Sequence, residues 1–170
     1  CPSRGAAEIE GSKAFARDFM ARHKIPSPRY EVCGSPEEAR SFLERAPFGY
    51  PFVVKADGLA AGKGVVICAT TDEAVTTAQD MFAGRFGKAG DTVVVEEFLE
   101  GEEASFIAMV DRTHVLPLAT SQDHKRLRDA DEGPNTGGMG AYSPAPVVTP
   151  AMHERIMREV MLPTVAALAR

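Results

Sequence analysis

Two short valine-rich segments, residues 52–55 and 65–68, enclose a stretch that is rich in glycine and alanine. β-Branched residues favour strands and glycine favours the turn between them, so this pattern predicts a β-hairpin with a long loop. A helical pattern over 71–82 and a nearly continuous run of valine over 92–96 follow. This strand–loop–strand–helix–strand unit is compact enough to form its own lobe, and it indicates an α/β or α+β fold.

The glycine-rich loop has a composition that suits an anion. Glycine lets backbone amides approach a ligand closely, and Lys55 and Lys63 add positive charge. The loop is no Walker motif, because only three residues separate Gly58 from Gly62 and Gly64 stands where Ser or Thr is needed. A strand follows it instead of a helix, which excludes a Rossmann fingerprint. Composition alone does not decide between a phosphate-binding loop and a flexible hairpin turn. Lysine is costly to bury in a strand, so Lys55 should meet an anion or guard an edge.

An acidic segment follows the valine strand. Alternation along a strand places Glu96 and Glu97 on opposite faces, so one of them should point inward. An inward carboxylate could accept from an adenine amino group, and a second one, at 102 or 103, could bind ribose hydroxyls. A solvated acidic turn is the plainer alternative.

Residues 119–148 show no helical or strand period. A structureless stretch of about thirty residues is unusual in a compact domain and is generally functional or disordered. Within it, Arg126 could donate a fork of hydrogen bonds to a terminal phosphate, and Asn135 could donate to the same oxygens. A mobile lid without direct contacts is the alternative.

The other predicted elements are ordinary. Helices are expected from Ser12 to His23, from a Ser35 cap, from a Thr71 cap and from Thr149, with Pro163 kinking or ending the last one. The apolar face of the third helix is predicted to hold Ala74, Ala78, Met81 and Phe82. A second hairpin is expected over 104–110 and 114–118.

Composition excludes several classes of partner. The 170 residues carry a formal charge of −5, whereas nucleic-acid and anionic-membrane surfaces need an excess of Lys and Arg. No apolar run approaches the roughly 20 residues that span a bilayer. Cys1, Cys33 and Cys68 form no paired motif, which indicates reduced structural thiols in a cytosolic protein. The chain starts in mid-pattern without Met, so we expect it to be a fragment of a longer polypeptide.

Four segments in this order resemble the ATP-grasp ligases, and most closely the glycinamide ribonucleotide synthetase family. They are KADGLAAGKG (55–64), EEFLEGEE (96–103), QDHKR (122–126) and GPNTGGMGAYSPAP (133–146), and EGSK (10–13) also fits. The last two of the four are far more specific than a generic ATP-grasp pattern. The resemblance covers essentially the whole chain.

The resemblance implies an activity. The parent polypeptide would ligate glycine to 5-phosphoribosylamine at the expense of ATP, with Mg²⁺ or Mn²⁺, in purine biosynthesis. In the family the glycine carboxylate attacks the γ-phosphate, and the amine then takes the acyl phosphate, so that ADP and phosphate are released. Such catalysis is mostly positioning and charge neutralisation. The implied partners are these small molecules, in the cytoplasm, without nucleic acid or membrane; a parent fused to other purine-pathway domains is compatible with this.

The resemblance also implies site residues by position. The implied ATP-binding residues are Lys13, Lys55, Gly58, Gly62, Lys63, Gly64, Glu96, Glu97, Phe98, Leu99, Glu103, Arg126 and Asn135. The implied substrate-binding residues are Asp123, Gly137, Gly138, Met139 and Gly140. Residues 96–99 would read adenine, Glu103 would bind ribose, and Arg126 and Asn135 would be catalytic at the phosphate end.

The implied fold is ATP-grasp, α/β (α+β), with the lid lobe and the first part of the core lobe. Residues 1–30 would form a leading helix that packs on the core lobe, residues 31–98 the lid (B) lobe with its glycine-rich flap, and residues 99–170 a truncated core (C) lobe. The family's magnesium-binding Glu and Asn are expected beyond Arg170. We therefore expect no metal site in this chain and no turnover by the chain alone.

Three alternatives stay open. Another ATP-grasp carboxylate–amine ligase, such as a carboxylase or a peptide-type ligase, would share the fold, although the PNTGGMGAY run disfavours it. A nucleotide-binding regulatory module without chemistry would explain the lack of metal carboxylates. A plain structural α/β domain would require three polar, glycine-rich segments to coincide by chance.

Overall fold

The computed structural model describes residues 3–60, 64–111 and 113–169. The chain divides into two compact units, Cys1–Leu99 and Glu100–Arg170. Among the described helices, none is both long and apolar enough to cross a membrane.

The described part of the first unit is a four-stranded antiparallel sheet with four α-helices, a π-helical turn at Met81–Arg85 and a 3-10 helix at Gly87–Gly90. Its elements are α1 (Arg4–Gly11), α2 (Lys13–Arg22), β1 (Tyr30–Cys33), α3 (Pro36–Glu44), β2 (Phe52–Ala56), β3 (Val65–Cys68), α4 (Thr71–Asp80) and β4 (Val93–Glu97). The strand order is β1-β4-β2-β3, so β2 and β4 are the inner strands. The hairpin predicted around the glycine-rich loop is confirmed. Strand β1 and helix α1 were not predicted, because each is short and has few apolar positions.

One face of the sheet carries the core. Alternation along β2 and β4 points Phe52, Val54, Val93 and Val95 to this face, and all four are fully buried. Helices α3 and α4 cover them with Ala39, Leu43, Ala74, Ala78 and, just beyond α4, Met81. The predicted apolar face of the third helix is therefore confirmed. The opposite face of the sheet holds Lys55 and Glu96.

Hydroxyl side chains begin the helices of the first unit. Ser12 and Ser35 accept hydrogen bonds from Phe15 N at 3.0 Å and Glu38 N at 3.2 Å, as predicted. The cap of α4 is Thr70, which accepts from Glu73 N, and not the neighbouring Thr71 that the sequence suggested. Thr70 and Thr71 both carry a hydroxyl, so the backbone conformation decides which of them caps the helix. Thr70 has the extended conformation that a cap needs.

Buried thiols agree with the predicted chemistry of the cysteines. Cys33 and Cys68 are buried and free. Burial raises the pKa of the Cys33 thiol to about 11, so it stays protonated at neutral pH. Cys1 lies outside the described residues.

The second unit contains two hairpins and a terminal helical segment. Its elements are β5 (Ala108–Val110), β6 (Val115–Pro117), β7 (Gln122–Arg128), β8 (Glu132–Tyr142), α5 (Pro150–Ile156) and α6 (Leu162–Leu168). The predicted hairpin at β5 and β6 is confirmed with shorter strands.

The prediction of a structureless stretch over 119–148 is wrong. Strands β7 and β8 pair antiparallel, with register shifts between His124 and Arg126 and between Arg126 and Arg128. Strand β7 consists mainly of charged and polar residues, and β8 is rich in glycine, so neither shows the apolar alternation of a half-buried strand. Backbone pairing and a few side-chain hydrogen bonds define this hairpin, without an apolar pattern in the sequence.

The terminal helix does not end at Pro163. A wide π-helical turn, Met157–Met161, separates α5 from α6, and the Leu162 N–H donates to the Met157 carbonyl five residues back. The hydroxyl of Thr164 donates to the Val160 carbonyl at 2.6 Å. The altered pitch lets the helical path continue past a residue that has no N–H to donate.

Candidate functional site

Three charged side chains meet on the open face of the first sheet. Arg17 on α2 donates from Nε to Glu96 Oε1 at 2.7 Å and from a terminal nitrogen to Oε2 at 2.8 Å. Lys55 Nζ on β2 donates to the same Oε2 at 2.7 Å. Glu96 is only 2% exposed, whereas Arg17 and Lys55 are 17% and 19% exposed. Two cations therefore share one buried carboxylate, and the group carries a net positive charge. We call Arg17, Glu96 and Lys55 the charged cluster.

The charged cluster holds Glu96 ionised. Burial alone would raise the pKa of the Glu96 carboxyl, but the hydrogen bonds and charges of Arg17 and Lys55 outweigh it, and the pKa lies below its usual range. The prediction that one of the two adjacent glutamates points inward is confirmed, and Glu96 is the one. Lys55 also meets an anion, as predicted for a lysine within a strand; β2 is an inner strand, so an edge role is excluded.

An apolar strip lies on the same face of the sheet as the charged cluster. Val53 and Lys55 pair with Ile67 and Val65 of β3, and Val53 also pairs with Glu96. Paired residues of neighbouring strands share a face, so the three apolar residues adjoin the cluster. Val65 and Ile67 are 44% and 43% exposed. A flat apolar surface beside a cationic group suits a planar ring that carries phosphates.

The base of the glycine-rich loop is fixed to the start of α2. The Asp57 carboxylate accepts from Ala14 N at 2.7 Å and from the Ser12 hydroxyl at 3.1 Å. Lys13 Nζ donates to the Gly58 carbonyl at 3.0 Å and to the Asp57 carbonyl at 3.3 Å. A carboxylate at a helix N-terminus is also favoured by the helix dipole. Lys13, predicted to contact nucleotide, thus lies at the entrance of the loop.

Two of the predicted loop glycines lie where a side chain has no room. A Cβ on Gly58 would be 2.9 Å from that of Ala89, and a Cβ on Gly64 would be 2.6 Å from that of Ala60. Gly62 and Lys63 lie outside the described residues, so their predicted nucleotide contacts stay predictions.

The segment predicted to read adenine continues from β4. The Glu97 carboxylate accepts from Arg29 N at 2.8 Å and Arg29 Nε at 2.6 Å, and these bonds to Arg29 lower its pKa. Phe98 and Leu99 are 36% and 60% exposed. Both residues therefore lie at the surface where β4 ends.

In the second unit, Lys125 joins two predicted acidic site residues. Its Nζ donates to Glu103 Oε2 at 3.1 Å and lies 3.7 Å from Asp123 Oδ2. The hydrogen bond to Glu103 is the main reason why the pKa of Lys125 lies above its usual range. Glu103 is 79% exposed, so its second oxygen is open to a ligand.

The predicted phosphate residues lie on the β7–β8 hairpin. Arg126 donates from a terminal nitrogen to the Gly133 carbonyl at 2.7 Å. Asn135 pairs with Arg126 through the backbone. The two predicted catalytic residues are therefore neighbours across the hairpin, although the guanidinium is bonded to the backbone here.

The glycines predicted to bind substrate form the far part of β8. Gly137, Gly138 and Gly140 have open space around them, and Gly138 and Gly140 have φ angles of +134° and +149° that disfavour a side chain. Thr136 ties this part of the hairpin to β7, because its hydroxyl donates to the Lys125 carbonyl at 2.9 Å. Met139 is 55% exposed between the glycines.

Three polar residues of these sites were not identified from the sequence. Arg17, Asp57 and Lys125 were not assigned individually, and each makes more than one contact described above. The available signal for Arg17 was its position four residues after Lys13, which places both cations on one side of α2.

Within the described ranges, no three His, Cys, Asp or Glu residues lie close enough together to hold an ion. The described side chains therefore do not fit Mg²⁺.

Comparison with known proteins assigns the family. A family model described as phosphoribosylglycinamide synthetase, ATP-grasp (A) domain, matches residues 11–170. Proteins named phosphoribosylamine–glycine ligase from Vibrio cholerae and Escherichia coli K12 are 62% and 59% identical over 169 residues, which is 99% of this chain and 39% of each relative. The crystal structure of phosphoribosylamine–glycine ligase from Thermotoga maritima is 38% identical with a TM-score of 0.86, over 98% of this chain and 42% of that one.

This chain thus spans about two-fifths of the length of the curated relatives it matches. The family match covers residues 11–170 and so includes all four segments that carried the resemblance, and the fold is that of an ATP-grasp protein. The chain belongs to the family of phosphoribosylglycinamide synthetase ATP-grasp (A) domains.

Proposed function

We propose that this chain is the nucleotide-binding part of a longer enzyme that joins glycine to 5-phosphoribosylamine at the expense of ATP. The observation that carries the proposal is the 62% identity, over nearly the whole chain, to a protein named phosphoribosylamine–glycine ligase. The product would be glycinamide ribonucleotide, a step of purine biosynthesis.

The nucleotide part of the proposal is supported by the charged cluster and the apolar strip. The adenine ring would lie on Val53, Val65 and Ile67, and the Lys55 ammonium would donate to a phosphate oxygen. The backbone of residues 96–99 would read the edge of the ring. Polar contact from a few placed groups on an otherwise apolar surface is the usual design of a small-molecule site.

The chemistry would proceed in two displacements. A glycine carboxylate oxygen attacks the γ-phosphorus, the bond from that phosphorus to the bridging oxygen breaks, and ADP leaves. The amine nitrogen of 5-phosphoribosylamine then attacks the acyl carbon, the bond to the phosphate oxygen breaks, and phosphate and a proton leave. Both steps gain mainly from positioning and from donors aimed at the transferred phosphoryl oxygens.

In the second unit, Arg126 and Asn135 are proposed to donate to the phosphate end of the nucleotide. This requires the Arg126 guanidinium to exchange the Gly133 carbonyl for an anionic oxygen, which is the stronger acceptor. The open backbone of three glycines and two side chains of the same hairpin are proposed to face the glycine or ribose-phosphate substrate. The glycines are Gly137, Gly138 and Gly140, and the side chains are those of Met139 and Asp123. Glu103 is proposed to accept from the ribose hydroxyls.

Magnesium is proposed to enter with ATP and to neutralise phosphate charge, with protein ligands outside the described residues. The proposed partners are small molecules, and the proposed location is the cytoplasm, where the buried thiols of Cys33 and Cys68 stay reduced. The lobe boundaries at 30 and 98 also stay a proposal.

The test uses the full-length polypeptide with ATP, Mg²⁺ and 5-phosphoribosylamine. We expect phosphate release that requires both glycine and the amine. Release with another carboxylate in place of glycine would move the enzyme to a sister ligase of the same fold. Tight ATP binding without any release would instead favour a regulatory nucleotide-binding module.

A further inference from the structure

Arg17 belongs to the charged cluster, but the proposed function assigns it no role. It lies on α2, outside every motif that carried the resemblance, and it is mostly buried. Its fork of donors takes both oxygens of Glu96, at 2.7 and 2.8 Å. A terminal nitrogen also donates to Ser27 Oγ at 3.1 Å, so the guanidinium is held at two ends.

The geometry of Glu96 shows what this contact does. A carboxylate with no other partner can rotate and bring both oxygens to a neighbouring ammonium. Here Oε1 is taken by Arg17 Nε, and Lys55 is limited to Oε2. An ammonium has three donors, so Lys55 keeps two for other acceptors.

We propose that Arg17 is a positioning residue for the nucleotide: it saturates the buried carboxylate of Glu96 and so leaves the Lys55 ammonium available to a phosphate oxygen. This inference rests on the proposed function, because it takes Lys55 as a nucleotide contact. Arg17 itself need not touch the ligand.

The net charge of the cluster also predicts that Arg17 strengthens the binding of an anion. Arg17, Lys55 and Glu96 together carry one net positive charge next to the apolar strip. Without Arg17 the remaining pair is neutral, and within the described part of the chain Lys55 is the one side chain left to pair with the buried carboxylate. An anion would then compete with Glu96 for the same ammonium. Loss of Arg17 should therefore weaken anion binding without removal of any direct contact.

Lysine is a poor replacement for Arg17. The guanidinium is a rigid planar fork that matches both oxygens of a carboxylate, whereas an ammonium is a point charge on a flexible stem. Arg17→Lys keeps the net charge and loses the paired geometry, so it separates the two contributions.

The experiment measures ATP affinity by calorimetry in the full-length polypeptide, without glycine or amine, so that no turnover occurs. The variants are Arg17→Met, Arg17→Lys, Lys55→Met and the double variant. Arg22→Met is the matched control, because Arg22 is exposed on the same helix and, among the described residues, donates to the Asp18 carbonyl and to no carboxylate. Thermal unfolding of each variant reports whether the fold is kept.

We expect Arg17→Met to weaken ATP binding about tenfold and Lys55→Met by about tenfold to a hundredfold, as for the loss of a charge-assisted contact. The double variant should bind more weakly than Lys55→Met by less than the full effect of Arg17→Met, because Arg17 acts in part through Lys55 and in part through the net charge of the cluster. Arg17→Lys should lie between Arg17→Met and the wild type, and Arg22→Met should bind like the wild type.

Two results would overturn the inference: unchanged affinity in Arg17→Met, or effects of Arg17→Met and Lys55→Met that add in full, as a general loss of structure would produce. Unchanged affinity in Lys55→Met is a different failure, because it would remove Lys55 from the proposed nucleotide site. If Arg17→Met does not fold, Arg17→Lys with and without Lys55→Met gives the same test of additivity.

Discussion

Glu96 shows how one residue can serve both the fold and the site. Its carboxylate is buried beside two cations, and removal of one partner from a buried ion pair is usually costly. The pair of cations holds its pKa below the usual range against the effect of burial. The contribution of Glu96 to stability should therefore depend on pH.

We expect Glu96→Gln to lower the free energy of unfolding at pH 7 by about 1.5–3 kcal/mol, the loss of charge-assisted hydrogen bonds. The folded-state pKa of Glu96 is depressed, so its contribution is complete above the unfolded pKa near 4.3 and is lost as the pH falls through the folded value. The difference between wild type and variant should stay constant from pH 7 to about pH 5 and shrink below about pH 4. Urea unfolding across this range is the measurement.

Glu10→Gln is the control for this prediction, because Glu10 is exposed on α1. It should change stability little at any of these pH values. A gap between wild type and Glu96→Gln that stays constant down to pH 3 would contradict the assigned ionisation.

The contact of Lys55 with an anion was easier to predict from the sequence than the identity of the residues around it, Arg17 and Glu96. Lys55 stands out because a cation between valines needs an explanation. Arg17 does not, since arginine is common on helices and nothing in α2 shows that its side chain reaches a strand 79 positions later. The burial of Glu96 followed from strand alternation, but the identity of its partners depended on tertiary packing.

At the scale of elements, α2 is held to the sheet at its first turn. Ser12 caps the helix through Phe15 N and also donates to the Asp57 carboxylate, at the base of the glycine-rich loop. Ser3, the cap of α1, makes the same kind of bond to Ala6 N and is exposed. The two serines thus form a natural comparison.

We expect Ser12→Ala to cost about 1–2 kcal/mol of stability, near the upper end for a helix cap, because two interactions are lost. Ser3→Ala should cost about 0.5 kcal/mol, the lower end of that range. Amide exchange should also become faster in the first turn of α2 and at Asp57 in the Ser12 variant alone. Equal costs for the two variants would indicate that the bond between Ser12 and Asp57 contributes nothing.

The turn that follows α4 contains a glycine that packs against backbone atoms. Gly90 is buried, and a Cβ there would overlap the Met81 carbonyl, which belongs to the backbone. We expect Gly90→Ala to destabilise the first unit by about 1–3 kcal/mol, as over-packing does. Gly5→Ala on the open side of α1 should instead be neutral or stabilising, since alanine favours a helix. Thermal unfolding of both variants measures the contrast, and a stable Gly90→Ala would contradict the packing.

Elements with an apolar pattern were predicted well, and those without one were not. Strands β2, β3 and β4 were recognisable because valine is dense in them. Strands β7 and β8 were not, because their order comes from backbone pairing and from ties such as the Tyr142 hydroxyl to Gln122 Oε1 at 2.7 Å. Glycine and charged residues there serve the proposed substrate contacts at the expense of a readable strand pattern.

At the scale of the whole molecule, the second unit leaves apolar surface open. Ile107 and Met109 lie opposite Leu118 and Leu116 on one face of the β5–β6 ribbon, and all four are 43–58% exposed. A two-stranded ribbon is marginally stable unless another part of the structure covers it. Such a face is consistent with a chain that spans two-fifths of the length of its relatives.

We therefore predict that the 170-residue chain alone does not release phosphate from ATP in the presence of glycine and 5-phosphoribosylamine. The physical reason is that its described residues include no cluster that could hold the metal ion. A coupled phosphate assay on the chain and on the full-length polypeptide, at equal concentration, checks this. Turnover by the chain alone would show that a complete site lies within it.

A crystal structure of the full-length polypeptide with a non-hydrolysable ATP analogue tests the nucleotide site most directly. We predict that the adenine ring lies on Val53, Val65 and Ile67, and that Lys55 Nζ lies within about 3.2 Å of a phosphate oxygen. Glu96 should keep its bonds to Arg17 in that complex. A nucleotide bound elsewhere, with the open face of the sheet empty and Lys55 bonded to Glu96 alone, would contradict the assignment of this face as the nucleotide site.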